Sequence, residues 1–302
     1  MKVLLIYNKE SGRGKITKDL PRIIKILEEE NYTCDTYSIT IERGVCKNTF
    51  DILDLYDVLL IAGGDGTINT VINSVMKIDL NKRPKLLFLP YGTTNDTSTM
   101  LGLKRKIKDN LNLLKTDSFY KMDVYQANDS YFLYASALGK MTKTSYDIDI
   151  RFLKNMGVLG YFINGLKDLF TNYNINVRLI NGKEELNTQA FLILLVGSNR
   201  LAGFNLKKFS NTQKLNSGII GVRVFSYKNR LSWLRLIWFY LTGGKKNKKD
   251  FHLETESLEI LIDQDLNWNL DGEKGPLGNL KLSVLKESVT VYVNPKNATK
   301  LF

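Results

Sequence analysis

Three apolar runs in the first hundred residues each end in a glycine-rich loop, and this pattern limits the folds open to the chain. The runs are VLLIY at 3–7, YDVLLIA at 56–62 and KLLFLP at 85–90, followed by the loops SGRGK at 11–15, GGDGT at 63–67 and GTTND at 92–96. Such continuous apolar runs are typical of strands buried on both faces of a sheet. Helical spacing follows at 19–31 and 68–76, and a further strand pattern lies at 33–39. Alternating strands and helices predict an α/β domain with a parallel sheet over residues 1–120.

These loops stand where a parallel sheet binds its ligands, outside the carboxyl ends of its strands. Glycines let backbone N–H groups approach phosphate oxygens, and the N-terminus of the next helix adds partial positive charge. Asp65 and Asp96 would repel phosphates on their own, so we expect a bridging divalent cation or polar contacts to a sugar. The sequence contains no Walker P-loop and no G-x-G-x-x-G loop opening a helix, which excludes the two commonest nucleotide-binding folds.

The second part of the chain has a different sequence pattern, in which strand-like runs dominate. They lie at 121–126, 131–138, 175–180, 190–196, 219–225, 257–262, 280–284 and 289–294, and helical patterns lie at 161–170 and 231–241. This predicts a β-rich second domain over residues 121–302, with about the last 15 residues returning to the first domain.

The amino-acid composition excludes several kinds of metal site, catalytic site and cross-link. The single histidine is His252, and the two cysteines are Cys34 and Cys46. A zinc site rich in histidine or cysteine, a Ser-His-Asp relay with its own nucleophile motif and a disulfide framework are therefore excluded. The first residues lack a signal-peptide pattern, and no uncharged apolar window approaches about 18 residues. We expect a cytoplasmic protein with reduced thiols.

Positive charge is concentrated in one window. The net charge is +12, and residues 186–249 contain twelve lysines and arginines but no aspartate or glutamate. A surface of one sign attracts anions, and no nucleic-acid recognition motif accompanies it, so an anionic membrane is favoured over nucleic acid or a merely solvated face. Inside this window, helical spacing places Trp233, Leu234, Ile237, Trp238 and Leu241 on one face, followed by lysines at 245–249. Tryptophan beside a basic cluster is typical of an interfacial helix, although the same face could pack internally or form a dimer.

Taken together, the motifs GGDGT at 63–67, GTTND at 92–96 and DGE at 271–273 resemble the diacylglycerol kinase catalytic family, in its bacterial soluble lipid-kinase branch. Similar segments occur at 122–124, 159–170, 202–204 and 293–295. The resemblance implies an α/β domain and a β-sandwich domain with ATP in the cleft between them. It implies Mg²⁺-dependent transfer of the γ-phosphoryl group to a lipid hydroxyl, most simply from diacylglycerol to phosphatidic acid. It also implies a homodimer that associates peripherally with the membrane.

By this resemblance, Glu273 is the general base with Asp271 close by, and Asp65 is catalytic and a ligand of the nucleotide's Mg²⁺. The nucleotide would be contacted by Asn8, Ser11, Gly12, Lys15, Thr40, Gly63, Gly64, Asp65, Gly66, Thr67, Asn69, Gly92, Thr93, Thr94 and Asn95. Taken alone, Asp-Gly at 271–272 between two strand-like runs would indicate an ordinary hairpin turn.

The sequence departs from the family pattern at several positions. Lys9 replaces a proline, Thr70 replaces a glutamate, and residues 97–99 lack the usual Phe-Ala-Arg. The family's structural Mg²⁺ site would involve the segment around Asn216 and Ser217, but Ser217 supplies no carboxylate, which counts against a metal there. These departures leave open a nucleotide- or lipid-binding relative with impaired catalysis. A second alternative is an NAD kinase, which the GTTND motif argues against.

Overall fold

The computed structural model describes residues 1–39, 41–42, 45–46, 52–140, 142, 173–201, 203–210, 214–229 and 231–302. These residues form two compact units. The first comprises Met1–Val124, Lys214–Asn216 and Lys286–Phe302, and the second comprises Tyr125–Gln213 and Ser217–Leu285. The C-terminal residues are therefore part of the first unit. The sequence expectations for Thr40 and for the helix at 161–170 lie outside the described residues.

The α-helices of the described residues are α1 (Lys15–Glu29), α2 (Asp65–Val75), α3 (Asp96–Met100), α4 (Ile107–Leu111), α5 (Leu234–Leu241) and α6 (Pro295–Leu301). Short 3₁₀ turns lie at Ser11–Gly14, Leu53–Leu55, Leu80–Lys82 and Asn112–Lys115. Within the described residues, none of the helices has both the length and the apolar character needed to cross a bilayer.

The strands of the described residues are β1 (Lys2–Asn8), β2 (Thr33–Ile39), β3 (Ile41–Glu42), β4 (Val45–Cys46), β5 (Val58–Gly63), β6 (Lys85–Pro90), β7 (Phe119–Ala127), β8 (Ser130–Phe132), β9 (Ala135–Gly139), β10 (Ile175–Asn181), β11 (Glu184–Val196), β12 (Arg200–Leu201), β13 (Phe204–Asn205), β14 (Ile220–Ser226), β15 (Phe251–Thr255), β16 (Ser257–Ile262), β17 (Asn267–Leu270), β18 (Glu273–Leu277) and β19 (Leu280–Tyr292).

The first unit is built on a parallel sheet with the order β2-β1-β5-β6. The chain moves from β1 outward to β2 and then returns to β5 on the other side of β1, so the winding direction reverses between β1 and β5. Every residue of β5 is buried, and so are residues 86–89 of β6, which explains why both strands are continuously apolar. Reversal points of this kind open the ligand crevice of α/β sheets.

The second unit is antiparallel. Its long central strand β11 pairs with β10 along its first half and with β9 and β14 along its second half. Beyond these, β16 pairs with β10, β15 with β14, and β17 with both β9 and β18. A single apolar cluster fills this unit, with Trp268, Phe191, Phe225 and Phe239 among its largest members. The predicted combination of an α/β unit and a β-rich unit is confirmed.

The structure corrects several boundaries. The single strand predicted at 131–138 is two strands, β8 and β9, because the backbone N–H groups of residues 133–135 bind a carboxylate side chain instead of a neighbouring strand. The separate strands predicted at 280–284 and 289–294 are one strand, β19. Helix α2 begins three residues earlier than predicted, at Asp65, directly after Gly64. The 231–241 pattern becomes helical only at Leu234, so Trp233 precedes α5 and is half-buried.

Candidate active site

The loop after β1 carries four of the predicted nucleotide-binding residues. The Asn8 side chain accepts a hydrogen bond from the Glu10 N–H (3.0 Å), which starts the turn that leads into the 3₁₀ segment Ser11–Gly14. Gly12 lies against the loop after β6, since a Cβ added there would be 3.1 Å from the Tyr91 carbonyl oxygen. Helix α1 then begins with the exposed Lys15.

The loops after β5 and β6 touch each other through two glycines. A Cβ added to Gly92 would lie 2.5 Å from the Cα of Gly64, and a Cβ added to Gly64 would lie 3.1 Å from the Cα of Gly92. Only residues without a side chain permit this approach of two backbones. The three glycine-rich loops predicted to meet therefore do meet, at the carboxyl edge of the first unit's sheet.

Helix α2 presents its N-terminus at this edge. The helix starts at Asp65, so the N–H groups of Asp65, Gly66 and Thr67 have no partner within the helix. Thr67 is buried, and its side chain occupies the space beside Gly63. Asn69, one turn further along, accepts hydrogen bonds from the Asn73 side chain. An N-terminus of this kind favours a phosphate group.

Asp65 ties the second loop to the third. Its Oδ2 accepts hydrogen bonds from the Thr94 hydroxyl (3.0 Å) and the Asp96 N–H (3.1 Å), and its Oδ1 accepts one from the Thr97 N–H (3.0 Å). The side chain thus caps the first turn of α3. A carboxylate has about four acceptor positions, so three bonds leave room for one further contact, such as a cation. Sequence reasoning assigned Asp65 to ligand chemistry and missed this tie, whose partners are about 30 residues distant in the chain.

The GTTND loop is closed on itself by Asn95. Its Oδ1 accepts a hydrogen bond from the Gly92 N–H (2.6 Å), and its Nδ2 donates to the Gly92 carbonyl (2.7 Å). Asn95 is buried and has a positive φ of 50°, a conformation that asparagine tolerates better than most residues. Thr93 is exposed and Thr94 is half-buried. Asn95 therefore shapes the loop, whereas Thr93 is the residue available to a ligand.

Tyr91 lies at the junction of the first and third loops. Its hydroxyl donates a hydrogen bond to Asp19 (3.0 Å). Burial, together with this bond to an anionic acceptor, raises the pKa of Tyr91 well above its ordinary value. The phenol therefore stays protonated, and it remains a fixed donor that connects α1 to the loop after β6.

Glu273 and Asp271 belong to the second unit, where a hairpin joins β17 to β18. Leu270 pairs with Glu273, and Asp271 and Gly272 form the two-residue connection with φ values of 52° and 98°. Positive φ at both positions is the geometry that Asp-Gly favours in a hairpin. The prediction of an ordinary hairpin turn is therefore confirmed, and it is compatible with a chemical role for Glu273, which is half-buried at the start of β18.

Asp271 holds this hairpin to the segment between β8 and β9. Its Oδ2 accepts the Leu133 N–H (2.6 Å), and its Oδ1 accepts the N–H groups of Tyr134 and Ala135 (3.0 Å each). The Asp271 N–H in turn donates to the Ala135 carbonyl (2.9 Å). Asp271 is 4% exposed. The geometry gives Asp271 a positioning role for the turn that precedes Glu273.

The segment expected to lose a structural metal is held by the protein itself. The Leu215 carbonyl accepts the Asp123 N–H, and the Leu215 N–H donates to the Leu301 carbonyl (2.8 Å each). The Lys214 ammonium donates to the Phe302 carbonyl (2.5 Å), and the Ser217 hydroxyl donates to the Ile219 carbonyl. In the part of the chain that the structure describes, no three histidine, cysteine or acidic side chains are grouped as metal ligands would be. Neither Asn216 nor Ser217 brings a carboxylate, the ligand that Mg²⁺ prefers in proteins, so the prediction that this segment lacks a structural Mg²⁺ stays a prediction.

Comparisons with known proteins show what this chain is similar to. The family described as the diacylglycerol kinase catalytic domain matches residues 2–127. A diacylglycerol kinase of Bacillus subtilis (strain 168) is 27% identical over 274 residues, which are 90% of this chain and 89% of that protein. One of Staphylococcus carnosus (strain TM300) is 28% identical over 97% of this chain and 95% of its own length. The crystal structure of a diacylglycerol kinase from Bacillus anthracis str. Sterne superimposes with a TM-score of 0.78 at 22% identity and covers 98% of both chains.

Proposed function

We propose that this chain, whose residues 2–127 match the diacylglycerol kinase catalytic domain, phosphorylates the hydroxyl of diacylglycerol with ATP and Mg²⁺ to give phosphatidic acid. The match with this family, together with the likeness to bacterial diacylglycerol kinases over most of the chain, supports a kinase-type phosphotransferase, and the nucleotide, the metal and the lipid are part of the same proposal. The observation that carries it is the meeting of three glycine-rich loops at a winding reversal, beside the N-terminus of α2.

The first unit supplies the groups that a nucleoside triphosphate needs. The N–H groups at the start of α2 and the charge of Lys15 would bind phosphate oxygens, while the Gly64–Gly92 approach keeps side chains out of their way. Mg²⁺, when bound, neutralises charge that develops on the phosphates during transfer. The remaining acceptor position of Asp65 fits a metal contact. Asp65 would therefore hold the loop and meet the metal with the same carboxylate.

Glu273 is the residue to which we assign proton acceptance. Phosphoryl transfer requires mainly positioning and charge neutralisation, plus one group that takes the proton of the attacking hydroxyl. The side chain of Glu273 is half-buried, and its backbone is fixed by the hairpin that Asp271 fastens. His252 is the other ordinary candidate for a base near neutral pH, and burial and nearby cations lower its pKa. It lies on β15, in a segment of the sequence that contains none of the motifs.

One assay separates the proposed function from its alternatives. Purified protein is incubated with labelled ATP and Mg²⁺, and with either mixed phospholipid vesicles containing diacylglycerol or NAD. Label in phosphatidic acid supports the proposal, and label in the dinucleotide identifies an NAD kinase. Binding of nucleotide with no labelled product in either arm identifies an impaired relative, as the departures at Thr70, Thr99 and Ser217 would predict.

The assignment of Glu273 is tested by Glu273→Gln, which keeps the size of the side chain and removes its basicity. We expect the turnover number to fall by roughly 10²-fold or more with little change in nucleotide affinity, because general base catalysis contributes about that much. Glu184→Gln, at an exposed strand end of the same unit, is the matched control and should keep full activity. A Glu273→Gln protein with ordinary turnover would move the base elsewhere.

A cytoplasmic location and a homodimeric state complete the proposal. The free thiol of Cys34 is consistent with a reducing compartment. The location is tested by fractionating cells into cytosol and membranes at low and high salt. The dimer is tested by sedimentation velocity over a range of protein concentrations, where a fixed monomer mass would contradict it.

A further inference from the structure

Helix α5 exposes a continuous apolar face. Leu231, just before the helix, is 63% exposed, and Leu234, Ile237, Trp238 and Leu241 are 45%, 46%, 36% and 82% exposed. Leu234, Ile237, Trp238 and Leu241 recur at helical spacing and therefore share one side of the helix, whereas Leu231 lies in the turn before it. We call these four helical residues the α5 face. Trp233, which the sequence pattern placed on this face, is half-buried and does not belong to it.

The opposite side of α5 already makes the contacts that fix the helix to its unit. Leu236 and Phe239 are buried, and the Phe239 ring meets Phe225 and Phe209 edge-on at centroid distances of 5.2 and 6.0 Å. An ordinary surface helix has polar residues on its outward side. Because α5 is apolar on both sides, packing against its own unit does not account for the apolar outward side.

A rim of lysines begins where α5 ends. The Gly244 N–H donates to the Phe239 carbonyl (2.8 Å) and the Gly243 N–H to the Tyr240 carbonyl (3.2 Å), which is a Schellman motif that stops the helix and turns the chain. Beyond it, four lysines are exposed within five residues: Lys245, Lys246, Lys248 and Lys249. We call these four residues the lysine rim. Lys228 is exposed at the other end of the helix.

Buried charges fasten the lysine rim to the helix. The Arg223 guanidinium, 1% exposed, donates to the carbonyls of Gly244 (3.3 Å) and Lys245 (3.2 Å). Arg235, on α5, forms an ion pair at 3.2 Å with Asp250, which directly follows the rim and whose side chain is 1% exposed. Removing one partner of such a buried pair is costly, so these ties are strong constraints. The α5 face and the lysine rim therefore form one preassembled surface.

We propose that this surface docks on an anionic lipid bilayer. The surface consists of an apolar helix face bordered by exposed lysines. Both belong to residues 186–249, which contain no aspartate or glutamate. Apolar side chains enter the boundary between headgroups and acyl chains, while lysines stay with the lipid phosphates. A second copy of the chain fits less well, because a twofold interface through the α5 face would place two cationic surfaces together, and residues 186–249 offer no acidic side chain to balance them. The biological sense of the docking rests on the proposed function, since a lipid kinase must reach a hydroxyl at the bilayer surface.

Docking is measured without turnover, by co-sedimentation of the full chain with vesicles of pure phosphatidylcholine or of phosphatidylcholine with phosphatidylglycerol. We expect binding to require the anionic lipid and to weaken as salt rises, because screening shortens the field to about 8 Å at physiological ionic strength. Replacing the four lysines of the rim by glutamine should reduce the partition coefficient by up to about 600-fold, at roughly fivefold for each lysine. The matched control replaces four exposed lysines of the first unit, Lys18, Lys25, Lys77 and Lys82, and should change binding little.

The apolar contribution is tested by Ile237→Ser together with Leu241→Ser. These changes should reduce the salt-resistant part of vesicle binding by about tenfold or more, since each loses most of a buried aliphatic side chain in the bound state. Trp238 should show a blue shift of its fluorescence on anionic vesicles, which Trp238→Phe removes. Binding of the wild-type chain that ignores lipid charge, or serine variants that bind normally, would overturn the proposal.

Two further readouts distinguish membrane docking from a dimer interface and from a place in the folded core. If the serine variants change a dimer into monomers in sedimentation velocity, the α5 face is an interface between copies and the proposal is wrong. Activity on a short-chain diacylglycerol dispersed in detergent should survive in every variant while activity on vesicles falls; a joint loss would place the face in the folded core. Intact vesicle binding without turnover on any lipid would refute the proposed function and leave the docking supported.

Discussion

Asp271 offers a direct test of whether its carboxylate holds structure or takes part in catalysis. The side chain accepts three backbone N–H groups, from Leu133, Tyr134 and Ala135, at 2.6–3.0 Å, in a part of the second unit where these residues are buried. Asp271→Asn keeps the shape of the side chain, and asparagine is at ease at the φ of 52° that the hairpin requires. The change therefore isolates the acceptor capacity of the second oxygen.

The magnitude follows from counting donors. An asparagine oxygen can serve the two N–H groups that Oδ1 serves, but its NH₂ group then faces the Leu133 N–H, donor against donor. One buried N–H loses its partner, which costs about 1–3 kcal/mol. Asp271→Gly keeps the turn and removes all three acceptors. We expect it to cost about 3–6 kcal/mol, allowing for water that enters the vacated space.

Urea unfolding followed by tryptophan fluorescence is a suitable assay, because all three tryptophans, Trp233, Trp238 and Trp268, lie in the second unit. Asp129→Asn makes the same chemical change at an exposed turn of that unit and should alter stability by less than about 0.5 kcal/mol. If Asp271→Asn changes the free energy of unfolding as little as Asp129→Asn does, Asp271 does not fasten the hairpin. If it leaves stability intact but lowers turnover as much as Glu273→Gln does, Asp271 acts in the reaction itself.

Three further predictions concern the first unit. Asp65→Asn should weaken binding of Mg·ATP in calorimetry more than binding of metal-free ATP, because the variant keeps an acceptor for the loop but loses a charged metal ligand; equal weakening would make Asp65 a loop residue only. Gly92→Ala should lower thermal stability and nucleotide affinity more than Gly64→Ala, since the added Cβ meets backbone at 2.5 Å in the first case and 3.1 Å in the second; equal effects would contradict the close approach. Burial, with the nearby Asp35 and Glu28, raises the pKa of Cys34 to about 11. In a Cys46→Ser background, iodoacetamide should therefore modify Cys34 at pH 8 roughly 100-fold more slowly than an unperturbed thiol, with a rate that climbs until about pH 11; a plateau near pH 9 would refute the shift.

Local pattern was sufficient for much of the first unit. The strands at 33–39 and 85–90 have the bounds that their sequences predict: β6 is a buried apolar run with clear ends, and β2 is an alternating run in which only Ile39 is buried. The glycine loops could be located because each begins within a few residues of the end of an apolar run. The meeting of Gly64 with Gly92 also follows from sequence once the sheet is parallel, because the ends of adjacent strands share an edge.

What sequence could not give was the partner of each polar side chain. Asp65 was expected to face a cation, yet its oxygens accept bonds from residues 94, 96 and 97, and Asp271 accepts bonds from residues about 137 positions away. Such pairings depend on which loops the fold brings together, and no local period encodes them. The predicted placement of Trp233 on the apolar helix face was wrong for a related reason. The helical spacing was extended over residues 231–233, which form a turn and are not part of α5.

The contacts of Lys214 and Leu215 place a fixed positive charge where the family resemblance implies a structural metal. The Leu215 backbone is bonded on one side to Asp123 and on the other to Leu301, and Lys214 donates to the carbonyl of Phe302, at the C-terminal end of α6. A cation at a helix C-terminus stabilises it by about 0.3–1 kcal/mol. The fixed ammonium thus supplies positive charge that needs no exchangeable ion.

Without nucleotide, the thermal unfolding midpoint should accordingly be the same with EDTA and with millimolar Mg²⁺. Lys214→Met should lower the midpoint by about 2–4 °C at most, which corresponds to a loss of about 1 kcal/mol in a unit of this size, and Mg²⁺ should not rescue it. Lys300→Met, on the same helix and also exposed, controls for the loss of one charge. A Mg²⁺-dependent rise in the wild-type midpoint that disappears in Asn216→Ala would mean that the segment binds a metal after all, and that neutral oxygens replace the missing carboxylate. Without such a rise, the dependence of activity on Mg²⁺ has to come from the nucleotide alone, so activity should follow the concentration of Mg·ATP and not that of free Mg²⁺.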